Sequence, residues 1–382
     1  MKVLIDVTNT SQVNSNTGIQ KFTREFFYEI KKYFQTIPIM FDSSLNVWRG
    51  LNKTEEVNLD LNNIKFKIKS GRGVKGSFFK TSGGDTLTGV IPKEAGLFIS
   101  TEVFKGGSAL NLNKLFKECS FIQTLVILHD IIPLEIPNLY HNKLYFYFFK
   151  YIRYTLRFNL IVSVSKKSIT SLIALFKRFL IALNHDLYIV ISPEVSYYNK
   201  PNTLSRYKNN YILSISSLEK RKNYVTLLKS ILNLWINNYK FKVILVSGLV
   251  NVYSHKVRGF IGMLVKKNYP LIFFNSIGEK KLLYLYTKAN TLVYPSITEG
   301  FGIPLIENRS FKNITISGRG GSLIDSNKQS FLRLTKLNEV FLTKKLLKVI
   351  KDDRYCFYIK NELLRLKALG WGGYLIKLLY NM

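Results

Sequence analysis

The chain has 382 residues and is short of the groups that staple a protein or bind metal to it. It holds two cysteines, Cys119 and Cys356, and four scattered histidines, His129, His141, His185 and His255. Two cysteines give no disulfide framework, and no His or Cys spacing suits a metal, so a reducing compartment is expected. No window approaches the ~18 uncharged apolar residues of a membrane span. The opening apolar run, Met1 to Asp6, is too short for a signal peptide, and sequons such as Asn52-Lys53-Thr54 are then without meaning. Helix-turn-helix, zinc-finger and RNA-recognition patterns are absent, as are internal repeats and low-complexity tracts. Acids are scarce as well.

What is present is apolar and basic. Hydrophobic residues make up 47% of the chain and aromatics 14%, enough for two domains with sizeable cores. Lys and Arg number 56 against 24 acids, a formal net charge of +32. Such a surface attracts nucleic acid, anionic lipid or phosphorylated ligands. With no nucleic-acid motif in the chain, anionic lipid is the expected polyanion and no nucleic acid is expected. Part of the Lys and Asn excess also fits compositional drift of an AT-rich genome.

The second half alternates cleanly. Strand-like runs at Tyr211 to Ser216, Phe241 to Val246, Leu271 to Asn275, Asn290 to Val293 and Ile314 to Ile316 are interleaved with helical stretches near 223–235, 255–267 and 279–289. This order predicts right-handed βαβ units and a parallel, doubly wound sheet, whose strand-end loops converge on one edge. Two of those loops carry chemistry. Ser217-Leu218-Glu219-Lys220-Arg221-Lys222-Asn223 sets three cations ahead of a helix N-terminus, which suits a diphosphate; a solvated charge run is the alternative. Tyr294 to Glu307 (YPSITEGFGIPLIE) brackets a glycine-rich turn with Glu299 and Glu307, and Pro304 fits the first turn of a helix. A strand, a glycine turn and a helix N-terminus make a cradle for an anion or a sugar nucleotide. The competing reading is an exposed turn with two solvated acids.

The first half is less regular. Lys2 to Val7 reads as a buried strand, and Gly18 opens an amphipathic helix with Ile19, Phe22, Phe26, Ile30 and Phe34 at helical spacing. Residues 40–95 resist parsing: Leu61 to Ser70 allows a strand, and the glycine-rich run 71–76 reads as a basic loop without the spacing of a phosphate-binding P-loop. Phe121 to Leu128 is a strong strand that ends in His129-Asp130, where α/β sheets place chemistry. A capping Asp and a satisfied His would explain the pair equally simply. Lys143 to Phe158 reads as a helix with Lys143, Lys150, Arg153 and Arg157 in one narrow arc. That is either a basic solvent stripe or an interfacial helix on anionic lipid. Asn159 to Ser165 is another strand. Residues 193–210 lose periodicity and mark a domain boundary.

Four of these patches resemble the retaining GT-B glycosyltransferases of family 4, three of them sharply. Glu299 to Glu307 is similar to that family's E-x7-E motif, Leu128 to Leu134 (LHDIIPL) to a second hallmark, and Arg221-Lys222-Asn223 to the end of its phosphate loop. Gly18-Ile19-Gln20 resembles the family's short glycine motif near the acceptor and donor phosphate. The resemblance implies an α/β, GT-B architecture of two Rossmann-like doubly wound domains facing a cleft. Residues 1–200 would form the acceptor domain and 201–365 the nucleotide-sugar domain, with 366–382 a terminal helix crossing back to the first.

The same resemblance implies transfer of a hexose, with mannose the first guess, from a GDP- or UDP-linked sugar to a lipid-linked glycan with retention of configuration. O-antigen, capsule or exopolysaccharide assembly at the inner face of the plasma membrane would be its setting. No metal or other cofactor is expected, because protein cations and helix dipoles would hold the leaving diphosphate. In this reading Glu307 takes the ribose hydroxyls and Glu299 the sugar hydroxyls. Phe301, Gly302 and Ile303 bring backbone N–H groups to the sugar and phosphate, and Gly18 lies on the donor side. His129 contacts the transferred sugar, and Asp130 orients its loop or meets the acceptor. Many relatives carry an Arg where Ser217 stands, so Arg221 and Lys222 would carry the diphosphate while Ser217 offers a neutral hydrogen bond. Asn308-Arg309-Ser310, Gly318-Arg319-Gly320-Gly321 and residues 322–335 depart from the family pattern. A degenerate GT-B scaffold and a basic polyanion-binding protein are the rival readings.

Overall fold

The computed structural model describes residues 2–13, 18–45, 47–60, 95–103, 112, 115, 123–179, 188–191, 211–247, 252–323 and 332–364. The basic loop 71–76, the strand expected within 61–70, the boundary at 193–210 and the terminal helix 366–382 all lie outside these residues.

The first compact unit is built on a seven-stranded sheet. Its strands are β1 (Lys2–Asp6), β2 (Gln35–Asp42), β3 (Val47–Gly50), β4 (Ala95–Ser100), β5 (Gln123–Leu128), β6 (Leu160–Ser163) and β7 (Tyr188–Ile191). They lie in the order β3-β2-β1-β4-β5-β6-β7, parallel except for the antiparallel β2–β3 pair. Val3, Leu4 and Ile5 are wholly buried, as a parallel strand covered on both faces requires. The helix Gly18–Ile30 turns Phe22, Phe26 and Ile30 inward, at the spacing the sequence shows. Arg49 clips the antiparallel edge together by ion pairs to Asp42 and Glu55, both at 2.8 Å. The helix Lys53–Leu59 begins in a reciprocal cap between Asn52 and Glu55.

The second unit has six strands: β8 (Tyr211–Ile215), β9 (Lys242–Val246), β10 (Leu271–Phe274), β11 (Thr291–Tyr294), β12 (Ile314–Ser317) and β13 (Leu332–Arg333). All are parallel, in the order β10-β9-β8-β11-β12-β13. Winding runs outward from β8 to β10 on one side and from β11 to β13 on the other. Its reversal between β8 and β11 is the switch point at which doubly wound sheets open a crevice for ligands. In the first sheet β1 holds the same place between β2 and β4. The helices Tyr224–Ile236, Val252–Lys266 and Glu279–Lys288 fall within a few residues of the stretches expected from periodicity.

Candidate active site

The loops after β8 and β11 lie side by side because their strands are paired. The Ile297 N–H donates to the Arg221 carbonyl at 2.7 Å, joining the two loops directly. After β8 the chain makes one 3-10 turn, Lys220–Lys222, and Asn223 takes a left-handed conformation (φ 57°) before the helix Tyr224–Ile236. That turn delivers Lys222 inward. It is 6% exposed, and its ammonium donates to the Tyr294 hydroxyl at 2.9 Å and to Glu299 Oε1 at 2.6 Å. Arg221 reaches Glu299 Oε2 at 2.5 Å, Glu219 Oε2 at 2.8 Å and the Thr298 carbonyl at 3.3 Å. Ser217 donates its hydroxyl to Glu219 Oε1 at 2.7 Å.

This geometry overturns two alternatives left open by the sequence. Glu299 and Glu307 are not solvated acids on an exposed turn, being 5% and 2% exposed. Nor is Lys220-Arg221-Lys222 a solvated charge run, since Lys220 alone of the three is exposed. Burial pushes the Glu299 carboxyl up, but the Arg221 and Lys222 charges outweigh it and hold the group at about 2. Burial, with Arg221 beside it, pulls the Lys222 ammonium down. Burial also pushes Glu219 up, and Arg221 foremost reverses that, so it too sits below its ordinary value. The cluster is therefore a set of ionised groups held by one another.

The glycine turn then feeds the helix Ile303–Ser310. Gly302 is left-handed (φ 81°), where an L side chain would be strained, and Pro304 sits in the first turn. The first-turn N–H groups of a helix have no helical acceptor; Ile303 belongs to that turn, Gly302 caps it and Phe301 precedes it. Glu307 is one turn inside. Its Oε2 accepts from the Tyr286 hydroxyl at 2.7 Å, and burial first, then Glu307, raises that phenol well above its ordinary value. The next residue explains one departure from the family pattern. Asn308 is fully buried and donates to Thr315 Oγ1 at 2.8 Å and to the Asn313 carbonyl at 3.2 Å, tying the helix to β12.

A second departure has a backbone cause. The loop after β12, Gly318 to Gly321, packs against the main chain of the β11 turn. A Cβ on Gly318 would stand 1.9 Å from the Ser296 carbonyl oxygen, and one on Gly320 1.7 Å from that of Ile297. Gly321 is left-handed (φ 66°), with the Glu299 carbonyl oxygen 2.3 Å from its added Cβ. Ser322 completes the brace, donating its N–H to the Glu299 carbonyl at 2.9 Å. No spacing rule announces a loop whose role is to be thin. The cue available in the sequence was three glycines in four residues beside a glycine-rich turn.

In the first unit, His129 and Asp130 follow β5. The Thr101 carbonyl lies 2.8 Å from His129 Nε2; a carbonyl only accepts, so that nitrogen carries the proton. Burial pulls the imidazole down to about 4, which leaves it neutral at neutral pH, and the Phe22 ring meets it edge-on at 5.2 Å. Asp130 Oδ1 accepts from the Ile132 N–H at 3.1 Å, an Asx turn opening the short helix Ile132–Glu135. Both residues thus have the structural partners that the simpler reading required. Gly18 begins its helix and is exposed.

The sequence reading missed a polar network at the switch of the first sheet. Glu102, two residues past β4, is 1% exposed and accepts from the Asn9 N–H at 2.5 Å, the Thr10 N–H at 2.8 Å and the Thr10 hydroxyl. Neighbouring Asp6 accepts from Thr8 Oγ1 at 2.6 Å and Ser100 Oγ at 3.2 Å. Burial first, then the Asp6 charge, lifts the Glu102 carboxyl to about 7, and burial raises Asp6. The network pins the loop after β1 to the loop after β4. Lone acids at a strand end carry no sequence signature.

The helix expected over Lys143 to Phe158 spans Asn142–Thr155. Lys143, Lys150, Arg153 and Arg157 are all exposed, Tyr151 and Ile152 face the core, and Phe146 stands 65% exposed beside the basic stripe. Among the described residues, no helix is long and apolar enough to cross a membrane.

Comparison with known proteins bears on the second unit first. Residues 196–361 match the family model of the glycosyl transferases group 1. The chain is 31% identical over 190 residues to the O-antigen chain mannosyltransferase RfbU of Salmonella typhimurium. That match covers 48% of this chain and 48% of that protein, so it spans about half the length of each. Solved structures resemble the chain over almost all its length. The sucrose-phosphate synthase of Thermosynechococcus elongatus aligns at TM-score 0.66 and 12% identity over 100% of this chain and 98% of that one. HepE of Anabaena, in complex with UDP and glucose, aligns at TM-score 0.64 and 14% identity over 95% and 93%. At such identities the likeness shows the fold, which is the GT-B fold of two Rossmann-like domains.

Proposed function

In a chain whose residues 196–361 match the family model of the group 1 glycosyl transferases, we propose that the cluster at the β8–β11 switch receives the diphosphate of a nucleotide-sugar. The protein then transfers the sugar to an acceptor hydroxyl in polysaccharide assembly. The observation that carries this reading is Lys222 and Arg221 converging on Glu299 at 2.6 and 2.5 Å beside a helix that starts on a left-handed glycine. Cations, a helix N-terminus and buried carboxylates at a switch point are the parts that bind a charged sugar nucleotide and stabilise its leaving group.

The finer reading is a retaining transfer of a hexose, mannose first, from a GDP- or UDP-linked donor to a lipid-linked glycan, as in O-antigen assembly. Its support is that the Salmonella relative is an O-antigen chain mannosyltransferase and that the Anabaena structure holds UDP and glucose. The C1–O bond to the diphosphate breaks, the acceptor oxygen bonds C1 on the same face, and the acceptor proton passes to the leaving phosphate oxygen. Glu307 holds the ribose and Glu299 positions both cations while meeting the sugar hydroxyls. The role of His129, whose imidazole is neutral and held through Nε2, is contact with the transferred sugar. The protein cations take the place of a metal. Exposed Lys143, Lys150, Arg153 and Arg157, with Phe146, dock the protein on the anionic inner face of the membrane.

The test is a thermal-shift screen of GDP-, UDP- and dTDP-sugars, followed by product analysis with the best donor. We expect one donor class to stabilise the protein and to give an axial-to-axial or equatorial-to-equatorial product, with turnover unchanged by EDTA. No stabilisation by any nucleotide-sugar would overturn the reading.

A further inference from the structure

The fixed charges at the β8–β11 switch cancel. Arg221 is bonded to Glu219 and Glu299, and Lys222 to Glu299, so two cations face two carboxylates. A diphosphate brings net negative charge into a place whose own groups already sum to zero. Something further must be positive there.

On the three loops that leave β8, β11 and β12, the described cations outside this network are Lys220 and Arg319. Both are exposed, and among the described residues neither side chain has a hydrogen-bond, ion-pair or ring partner. They differ in placement and chemistry. Arg319 sits between Gly318 and Gly320, the two residues whose backbones lie against the Ser296 and Ile297 carbonyls, and Ile297 is hydrogen-bonded to Arg221. The thin glycine loop therefore carries Arg319 on a backbone packed against the β11 turn, whose Ile297 is bonded to the Arg221 main chain. A guanidinium also presents the planar fork that matches two phosphate oxygens, which an ammonium does not.

We propose that Arg319 binds the diphosphate of the donor, supplying from the β12 loop the net positive charge that the Arg221–Lys222–Glu219–Glu299 cluster lacks. This rests on the nucleotide-sugar reading above. In the free protein Arg319 is solvated; with donor bound it closes on the two phosphates, and it stabilises the charge released as the sugar leaves. It takes no part in holding the fold, which separates it from Lys222.

Titration calorimetry of the full chain with UDP, GDP, UMP and GMP tests the assignment. R319Q should weaken the diphosphate that binds best by about ten- to hundredfold, the size of a lost charge-assisted contact. It should change monophosphate binding by under about threefold and leave the unfolding temperature in place. R319K should recover part of the loss. K220Q and K344Q, which remove exposed charges from the β8 loop and from the helix Glu339–Lys351, should each cost less than R319Q. Wild-type binding with no loss in R319Q overturns the role of Arg319 alone, as does an equal loss in K344Q, which would mean a diffuse charge effect. A wild type that binds none of the four nucleotides overturns the GDP- or UDP-linked donor reading on which the proposal rests, so the two failures are told apart.

Discussion

Glu102 and Glu299 occupy matching places in two similar folds. Each lies just past a strand where winding reverses, and each is buried, yet their carboxyls are displaced in opposite directions, to about 7 and about 2. Burial acts the same way on both, so the neighbours decide. Glu102 meets backbone N–H groups, hydroxyls and another acid, Asp6; Glu299 meets an arginine and a lysine. Backbone amides tie a loop down without bringing formal charge. Ion pairs keep charge in place, as the proposed diphosphate site requires. On that proposal one switch point is held and the other used.

Removing each acid should expose that contrast, with the larger cost at the ion-paired site. Glu299→Ala leaves two inward-facing cations without their shared carboxylate and should cost about 3–5 kcal/mol of unfolding free energy in urea, along with transfer activity. The pH profile carries the sign: the Glu299 contribution is complete above its ordinary 4.5 and fades as pH falls toward 2. Glu102 runs the other way. Folding raises its value from 4.5 to about 7, so its contribution is fullest below pH 4.5 and declines as pH rises through 7. Glu102→Gln should flatten that decline. Unfolding of both proteins at pH 5 and pH 7.5 decides it, and an unchanged slope in the variant assigns the titration elsewhere.

A smaller effect probes whether the used site is held by backbone rather than by charge. Gly320→Ala must displace the Ile297 carbonyl and should cost about 1–3 kcal/mol together with donor affinity, measured by thermal unfolding and nucleotide titration. An alanine tolerated there at full affinity would show that the brace is dispensable. The smallest stability effect is expected from Lys150, Arg153 and Arg157 changed together to Ser. Those residues are exposed, so stability should move by under about 0.5 kcal/mol. Co-sedimentation with anionic liposomes should fall, and equal binding to neutral vesicles would remove the membrane role of that helix.

Much of the second unit was legible in the sequence because apolar runs of four or five residues alternate with helical periodicity, and that alternation is itself the cause of a doubly wound sheet. Lys222 and Glu299 were identifiable as residues, but not as partners. Their ion pair joins positions 77 apart and depends on β8 and β11 being neighbours, which strand order alone decides. β2, β3 and β4, within and beside the 40–95 region, were missed for a different reason. Pro38 interrupts a strand that lies one place from the sheet edge, β3 is antiparallel, and neither carries the alternation that served elsewhere. Glu102 followed from nothing local, since its partners Asn9 and Thr10 are over ninety residues away.

The glycine brace has a mechanical consequence. Carbonyls of Ser296, Ile297 and Glu299 occupy the space that side chains of the β12 loop would fill, so the two loops mesh like the teeth of a gear. On the proposed role of Arg319, a ligand held by its guanidinium also bears on the peptide that presents Glu299, through close-packed main chain. Amide hydrogen exchange at Gly318, Ser322 and Ile297 should then slow together when nucleotide is added, as one body rather than three.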